Sequence, residues 1–220
     1  MNFERIQRFR DLAHRRQRGM VVLEDCHDLH NAAAVMRSCD AFGLQRIALI
    51  FENELGFSPR RKGKTSSAGT NLWLDIDVHR SAERALRSIK DEGYTLVATA
   101  FTDGAEDLFE ADLTDPNLAL MLGNERDGLS ETAMSMADRV LHIPMQGVAK
   151  SLNLSVTASV CLYEIARQRK RAGLDRYLLS KEDAEDLTRR LVERREGWWG
   201  LKLLEELTID GPPSAARRWG

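Results

Sequence analysis

Three short segments concentrate the glycines and polar side chains that a ligand-binding or active site would use. They are residues 30–37, 122–130 and 143–153, and each is predicted to follow a strand. Their amides, hydroxyls, carboxylates and guanidinium groups can hold a polar ligand and stabilise charge that develops during a reaction. These segments are therefore the candidate site.

Each residue in the three segments also has an ordinary structural explanation. Asn31 occupies a predicted helix N-cap position, and Ser151 and Asn153 are typical of a helix start. Arg37 is suited to a surface ion pair, and Glu125 to a solvated loop. No single segment identifies a function.

The sequence lacks the common nucleotide-binding and hydrolase motifs. There is no GxGxxG after the first predicted strand, no GxxxxGK[ST], no HExxH and no GxSxG. A Rossmann dinucleotide site and a P-loop are therefore not supported.

The elements that must position these segments alternate between strand and helix. Strands are predicted at 20–24, 46–51, 72–78, 95–100, 118–122 and 140–143, and helices at 3–17, 32–42, 81–92, from 130, 153–171 and 180–195. Short apolar strands separated by helices predict an α/β fold with a mostly parallel sheet covered on both faces. Such sheets bind ligands beyond the carboxyl ends of their strands, which is where the three segments lie.

The chain is predicted to have three parts. Residues 1–19 form a basic helix, 20–172 the α/β domain, and 173–220 a helical extension. Leu187 and Leu191 give the extension too narrow an apolar stripe for an independent domain, so we expect it to dock on the main body or on a second subunit.

Charge is unevenly distributed along the chain. Residues 1–19 contain six arginines and two acids, whereas residues 75–138 contain fifteen acids and five bases. Residues 58–64 and 167–171 each add four basic side chains without an acid. Basic segments on an acidic body indicate a polyanion such as nucleic acid as partner, although solvated helix faces would explain the same pattern.

Composition is that of an ordinary globular protein, with 43% hydrophobic and 30% charged residues in 220. The three cysteines form no paired framework, which is typical of a reducing compartment, and no zinc-type CxxC pair occurs. No signal peptide or membrane span is recognisable. We therefore expect a cytoplasmic protein with no metal and no membrane partner.

Taken together, the three segments resemble the SPOUT superfamily of methyltransferases, in particular its TrmH branch of RNA ribose 2'-O-methyltransferases. The resemblance covers roughly residues 20–172. It rests on the pattern from His30 and Asn31 through Arg37 to Gly43, on G-x-E-x-x-G-L-S at 123–130, and on 143–147 followed by S-L-N-L-S-V at 151–156. Within the branch, His30-Asn31, Cys39-Asp-Ala41 and the Arg-Gln-Arg at 167–169 are most similar to enzymes that methylate guanosine 18 of tRNA.

The resemblance implies a deep trefoil knot in the carboxy-terminal part of the domain and an obligate homodimer. Residues 122–128 and 143–153 would form the knot. The cofactor would be S-adenosylmethionine, and the residues implied to bind it are Thr99, Ala100, Leu122, Gly123, Ile143, Met145, Ser151 and Leu152.

The same resemblance implies the residues at the reacting ribose hydroxyl. Arg37 would act there, with Asn31, Glu125, Ser151 and Asn153 around it. An arginine keeps its proton in ordinary sites because its pKa exceeds 12. We therefore expect Arg37 to bind the neighbouring phosphate and to stabilise the developing alkoxide, with loss of the proton to Arg37 as an alternative.

The basic segments would hold the RNA. The residues expected to contact it are Arg8, Arg15, Arg16, Arg60, Arg61, Lys62, Lys64, Arg167, Arg169 and Arg171.

Three alternatives remain open at this point. The first is methylation of ribosomal RNA or of another tRNA nucleotide. The second is a non-catalytic RNA-binding protein with the same fold. The third, if the motif match is accidental, is a knot-free nucleotide-binding module.

Overall fold

The structure, a computed structural model, describes residues 3–57 and 72–208. These residues form two compact units, one spanning 18–177 and the other made of the described parts of 1–17 and 178–220. The larger unit contains all three candidate segments.

Seven strands of the described residues form one sheet. They are β1 (Gln17–Glu24), β2 (Leu44–Ile50), β3 (Asp75–His79), β4 (Thr95–Thr99), β5 (Glu106–Asp107), β6 (Leu118–Leu122) and β7 (Arg139–His142), in the order β3-β2-β1-β6-β4-β7-β5. The pairs β1–β6, β2–β3, β4–β6, β4–β7 and β5–β7 are parallel. The α/β class with a parallel sheet is therefore confirmed.

The described residues contain six α-helices. They are α1 (Phe3–Ala13), α2 (Leu29–Ala41), α3 (Ala82–Asp91), α4 (Glu131–Met136), α5 (Leu154–Ala172) and α6 (Lys181–Thr208). A short 3-10 helix, Leu174–Tyr177, follows α5.

Alternate residues of the central strands build two separate cores, because successive side chains of a strand point to opposite faces. Val21 and Leu23 pack in the core that contains the apolar residues of α2 and α5. Met20 and Val22 belong to the other core, which contains those of α3. Both faces of the sheet are thus covered, which explains why all five residues of β6 are buried.

Side-chain caps set where the helices begin. Ser81, Ser130 and Asn153 cap α3, α4 and α5, as the sequence predicts. The prediction for α2 was wrong: Asp28, not Asn31, is its N-cap and accepts the N–H of His30 at 2.8 Å. The earlier start places Asn31 in the first turn, where its side chain is available for contacts with other segments.

Several strands differ from their predicted bounds, and β1 begins at Gln17 instead of residue 20. β3 begins at Asp75 instead of residue 72, and the edge strand β5, with only two residues, was missed. So short a strand has no alternation that a sequence can reveal.

The smaller unit consists of the two terminal helical segments packed on each other. Ile6, Phe9 and Ala13 of α1 are buried, as are Leu187 and Leu191 of α6. Arg10 of α1 lies 3.3 Å from the carboxylate of Glu185. Helix α6 therefore finds its apolar partner in α1, which the sequence analysis did not consider.

Within residues 3–57 and 72–208, no helix combines the length and the apolar character needed to cross a membrane.

Candidate active site

One cavity of about 650 Å³ lies at the carboxyl ends of β4, β6 and β7 and the start of α5. These three strands are neighbours in the sheet, so the segments that follow them converge. All eight residues implied to bind the cofactor line this cavity: Thr99, Ala100, Leu122, Gly123, Ile143, Met145, Ser151 and Leu152. Its volume is typical of small-molecule sites.

The loop after β6 turns back on itself at the cavity wall. Asn124 and Gly128 exchange two backbone hydrogen bonds of 2.9 Å, and Gly128 has φ of 74°. A Cβ atom at Gly123 would lie 2.1 Å from the carbonyl carbon of Gly128, closer than any side chain allows. Glycine is therefore required at position 123 for this loop to close.

The end of β1 holds the same loop in place. The carboxylate of Glu24, which is 2% exposed, accepts the backbone N–H of Ser130 at 2.8 Å and its hydroxyl at 2.7 Å. The amide of Asn124 donates to the carbonyl of Asp25 at 2.7 Å. The loop is thus fixed by charged and polar groups rather than by packing alone.

Three of the predicted catalytic residues form a chain of hydrogen bonds. The amide of Asn153 donates to the carbonyl oxygen of Asn31 at 3.0 Å, and the amide of Asn31 donates to Glu125 at 2.8 Å. The side-chain oxygen of Asn153 accepts N–H groups at the start of α5, which leaves its amide nitrogen to donate to Asn31. The hydrogen bonds therefore run in one direction, from Asn153 through Asn31 to Glu125.

Glu125 also accepts the backbone N–H of His27 at 3.2 Å. Burial raises the pKa of Glu125, but the hydrogen bonds from Asn31 and the backbone outweigh that effect and hold the pKa below its ordinary value. The carboxylate is therefore ionised at neutral pH.

The thiol of Cys26 lies 3.6 Å from Glu125. Burial and the neighbouring carboxylate raise the pKa of Cys26 to about 12, so the thiol stays protonated and donates.

The five predicted catalytic residues are not all at the cavity wall. Glu125, Ser151 and Asn153 line the cavity, and Asn31 contacts two of them. Arg37 lies further along α2, is exposed, and does not line the cavity. Its guanidinium forms no ion pair with any residue that the structure describes.

The predicted RNA contacts differ in exposure. Arg8, Arg15 and Arg171 are exposed, and Arg167 is half-buried and paired with Glu164. Arg60, Arg61, Lys62 and Lys64 lie outside the described residues.

Two of the predicted contacts need correction. Arg16 and Arg169 are only 1% and 0% exposed, so neither guanidinium can reach a phosphate. Arg169 donates to the carbonyls of Arg18 and Asp115, each at 2.7 Å, and lies over the ring of Tyr177. Burial lowers the pKa of Arg169 to about 10. The role of Arg169 is therefore structural.

Several side chains that line the cavity were not predicted from the sequence: Phe101, Arg126, Asp127, His142 and Lys150. Arg126, Asp127 and Lys150 lie inside the candidate segments, and their position after predicted strands was a usable signal. Among the described residues, no group of three or more His, Cys, Asp or Glu side chains is arranged to hold a metal ion.

The part of the sequence that contains this site matches a known protein family. Residues 19–163 match the family model described as the SpoU rRNA Methylase family, and they include most of β1, all of β6 and β7, and every residue that lines the cavity. The chain belongs to the SpoU methylase family. The sequence-based assignment to the SpoU/TrmH methyltransferases is thus confirmed.

Relatives within the SpoU family include a tRNA (guanosine(18)-2'-O)-methyltransferase of Thermus thermophilus. It is 39% identical over 180 residues, which is 81% of this chain and 90% of the relative.

Two solved structures show the same fold. One is the TrmH/SpoU tRNA modifying enzyme of Aquifex aeolicus, with a TM-score of 0.76, 28% identity, and 86% of this chain and 94% of that chain covered. The other is an AdoMet-bound rRNA methyltransferase of Sinorhizobium meliloti, with a TM-score of 0.62, 26% identity, and coverage of 78% and 61%.

Proposed function

We propose that this SpoU family member transfers a methyl group from S-adenosylmethionine to a ribose 2'-hydroxyl of tRNA, at guanosine 18. The observation that carries the proposal is the convergence of the three motif segments on one cavity, with Asn31, Glu125 and Asn153 joined by hydrogen bonds. The choice of tRNA and of guanosine 18 rests on the Thermus relative.

The cavity suits the cofactor. Leu122, Ile143, Met145 and Leu152 offer apolar surface for an adenine ring, while backbone groups at the strand ends can read its edge. The methyl group that S-adenosylmethionine carries on its positively charged sulfur is the group to be transferred.

Two groups of side chains act on the ribose. Arg37 lies beyond the cavity lining, so it binds the RNA phosphate and stabilises the developing alkoxide rather than holding the cofactor. Asn31, Ser151 and Asn153 orient the nucleotide beside the ionised Glu125. Positioning of the two reactants supplies most of the rate enhancement.

The functional assembly is a homodimer. Helix α5 leaves Val156 and Tyr163 45% and 60% exposed, and a second copy would cover these apolar side chains. Residues 122–128 and 143–153 form a trefoil knot, as in other SPOUT proteins. The division into a basic amino-terminal segment at 1–19, the domain at 20–172 and the extension at 173–220 stays a prediction.

RNA is held by basic side chains on several segments, namely Arg8, Arg15, Arg167 and Arg171 together with Arg60, Arg61, Lys62 and Lys64. A tRNA substrate places the protein in the cytoplasm.

The test is methyl transfer from labelled S-adenosylmethionine to unmodified tRNA, with the product mapped by nucleotide. Methylation of the 2'-oxygen of guanosine 18 is the expected result. If only ribosomal RNA is methylated, the proposed reaction is correct but the proposed substrate is wrong. If the protein binds the cofactor but methylates no RNA, a non-catalytic RNA-binding protein is favoured.

A further inference from the structure

Phe101 stands at the cavity with its ring in solvent. It follows β4 directly, lines the cavity, and is nevertheless 83% exposed. Its ring lies edge-on to His142, with centroids 6.0 Å apart, and the backbone beside it is anchored by Ala100, which donates to Leu141 at 3.0 Å. A large apolar ring that is held in place yet not covered by its own chain is suited to stack on a planar ligand.

Two cationic side chains line the same cavity. Arg126 and Lys150 are both exposed, and neither forms an ion pair within the part of the chain that the structure describes. The backbone of Arg126 is fixed, because its N–H donates to the side chain of Asn124 at 2.8 Å. An aromatic ring accompanied by two unpaired cations matches the base and the phosphates of a nucleotide.

The two acids at this cavity differ in how they are engaged. Glu125 is held by Asn31 and His27, as described above. Asp127 is exposed beside Arg126, and its negative charge, like that of Glu125, would oppose a phosphate placed next to it.

We infer that the mouth of the cavity is the subsite for the target nucleotide, in which Phe101 stacks on the base and Arg126 and Lys150 hold the phosphates beside it. This inference rests on the proposed function. The reacting ribose hydroxyl must reach the methyl group inside the cavity, so the attached base and its phosphates remain at the mouth, where Phe101 is exposed.

The decisive variants are Phe101→Ala and Phe101→Tyr, each compared with the parent protein in steady-state methyl transfer to RNA. Because stacking on an aromatic side chain contributes about 1–3 kcal/mol per base, Phe101→Ala should lower kcat/KM for RNA roughly 5- to 150-fold. Phe101→Tyr keeps a ring and should stay within about threefold of the parent protein. Calorimetry should give S-adenosylmethionine affinities within about twofold for all three proteins.

The cations are tested by the salt dependence of RNA binding. The double variant Arg126→Gln/Lys150→Gln should reduce the slope of log K against log salt by about 2, one unit for each phosphate that is no longer neutralised. Asp127→Asn is the matched control in the same loop, and it should not weaken RNA binding. An unchanged slope in the double variant would refute the binding of phosphates by these two side chains.

The failures are distinguishable. If the parent protein methylates no RNA, the proposed function fails and the subsite with it. If the parent protein is active but Phe101→Ala keeps its kcat/KM, the subsite alone is refuted. An equal loss of S-adenosylmethionine affinity in Phe101→Ala would assign the ring to the cofactor and overturn the inference.

Discussion

The side-chain amide of Asn31 donates a 2.8 Å hydrogen bond to the carboxylate of Glu125, 94 residues further along the chain. This hydrogen bond joins the segment after β1 to the segment after β6. Burial raises the pKa of Glu125, and among the hydrogen bonds that lower this pKa the one from Asn31 has the largest effect. The amide of Asn153 completes the chain from the third segment.

Replacing Asn31 should shift the acid limb of the pH–rate profile. Activity that needs the Glu125 carboxylate is lost as the pH falls through its lowered pKa. In Asn31→Ala the main hydrogen bond is gone while burial still raises the pKa, so the loss should begin at a higher pH. Asn31→Asp, which brings a second carboxylate, should shift the limb further. Profiles of kcat/KM from about pH 4 to about pH 8 measure this effect, and superimposable acid limbs would contradict it.

Arg37→Ala should lower the turnover rate while leaving cofactor affinity nearly unchanged. Arg37 does not line the cavity, so S-adenosylmethionine affinity should stay within about twofold while turnover falls by about 100-fold or more, as expected for loss of a charge-stabilising group. Single-turnover kinetics measures the rate of methyl transfer, and calorimetry on the same preparation measures the affinity for S-adenosylmethionine. A comparable loss of cofactor affinity would show that the assignment is wrong.

Gly123→Ala should open the loop after β6. The added Cβ would meet the backbone of Gly128 at 2.1–2.2 Å, so the loop must move and the cavity must lose its wall. We expect a loss of about 3 kcal/mol or more in the free energy of unfolding, together with weakened cofactor binding. Gly147→Ala is the control for stability, because a Cβ there meets nothing within 4 Å. Urea denaturation of both variants measures the difference, and equal stabilities would exclude the predicted clash.

Arg169 and Arg171 should differ in their effects when each is replaced by methionine. Arg169 is fully buried and donates to three backbone carbonyls, so its loss should cost about 2–4 kcal/mol of stability. Arg171 is exposed, and its loss should change stability by less than about 0.5 kcal/mol while weakening RNA binding. Denaturation curves and RNA titrations on both variants test this pair. If Arg169→Met folds and binds RNA as poorly as Arg171→Met, the purely structural role of Arg169 is wrong and Arg169 takes part in RNA binding.

The basic segment at 58–64 should contribute to the salt dependence of RNA binding. Replacing Arg60, Arg61 and Lys62 with glutamine should flatten the dependence, because the slope falls by about one unit for each phosphate that the protein no longer neutralises. Arg84→Gln/Arg87→Gln, on the exposed surface of α3, controls for a general loss of charge. A slope equal to that of the parent protein would exclude this segment from the RNA-binding surface.

Much of the fold was predictable because its signals are local. Alternation of apolar strands with helices predicted the parallel sheet, and Ser81, Ser130 and Asn153 marked helix starts because a cap bonds to N–H groups two or three residues away. The eight residues that the resemblance predicts for cofactor binding lie on one cavity wall, because β4, β6 and β7 are adjacent and parallel.

Sequence alone thus determined the fold class, the family and the segments that make the site, because each depends on the order and spacing of residues within one stretch of chain. The tertiary structure decided which side chains meet. Asp28, not Asn31, caps α2, and Asn31 instead donates to Glu125. Arg16 and Arg169 are buried, although the sequence predicted that both would contact RNA. Such outcomes depend on interactions between residues far apart in the sequence, as in the bonds of Arg169 to Arg18 and Asp115. A periodic pattern shows which face of a helix is apolar, but only the packed chain shows which polar group is left facing water.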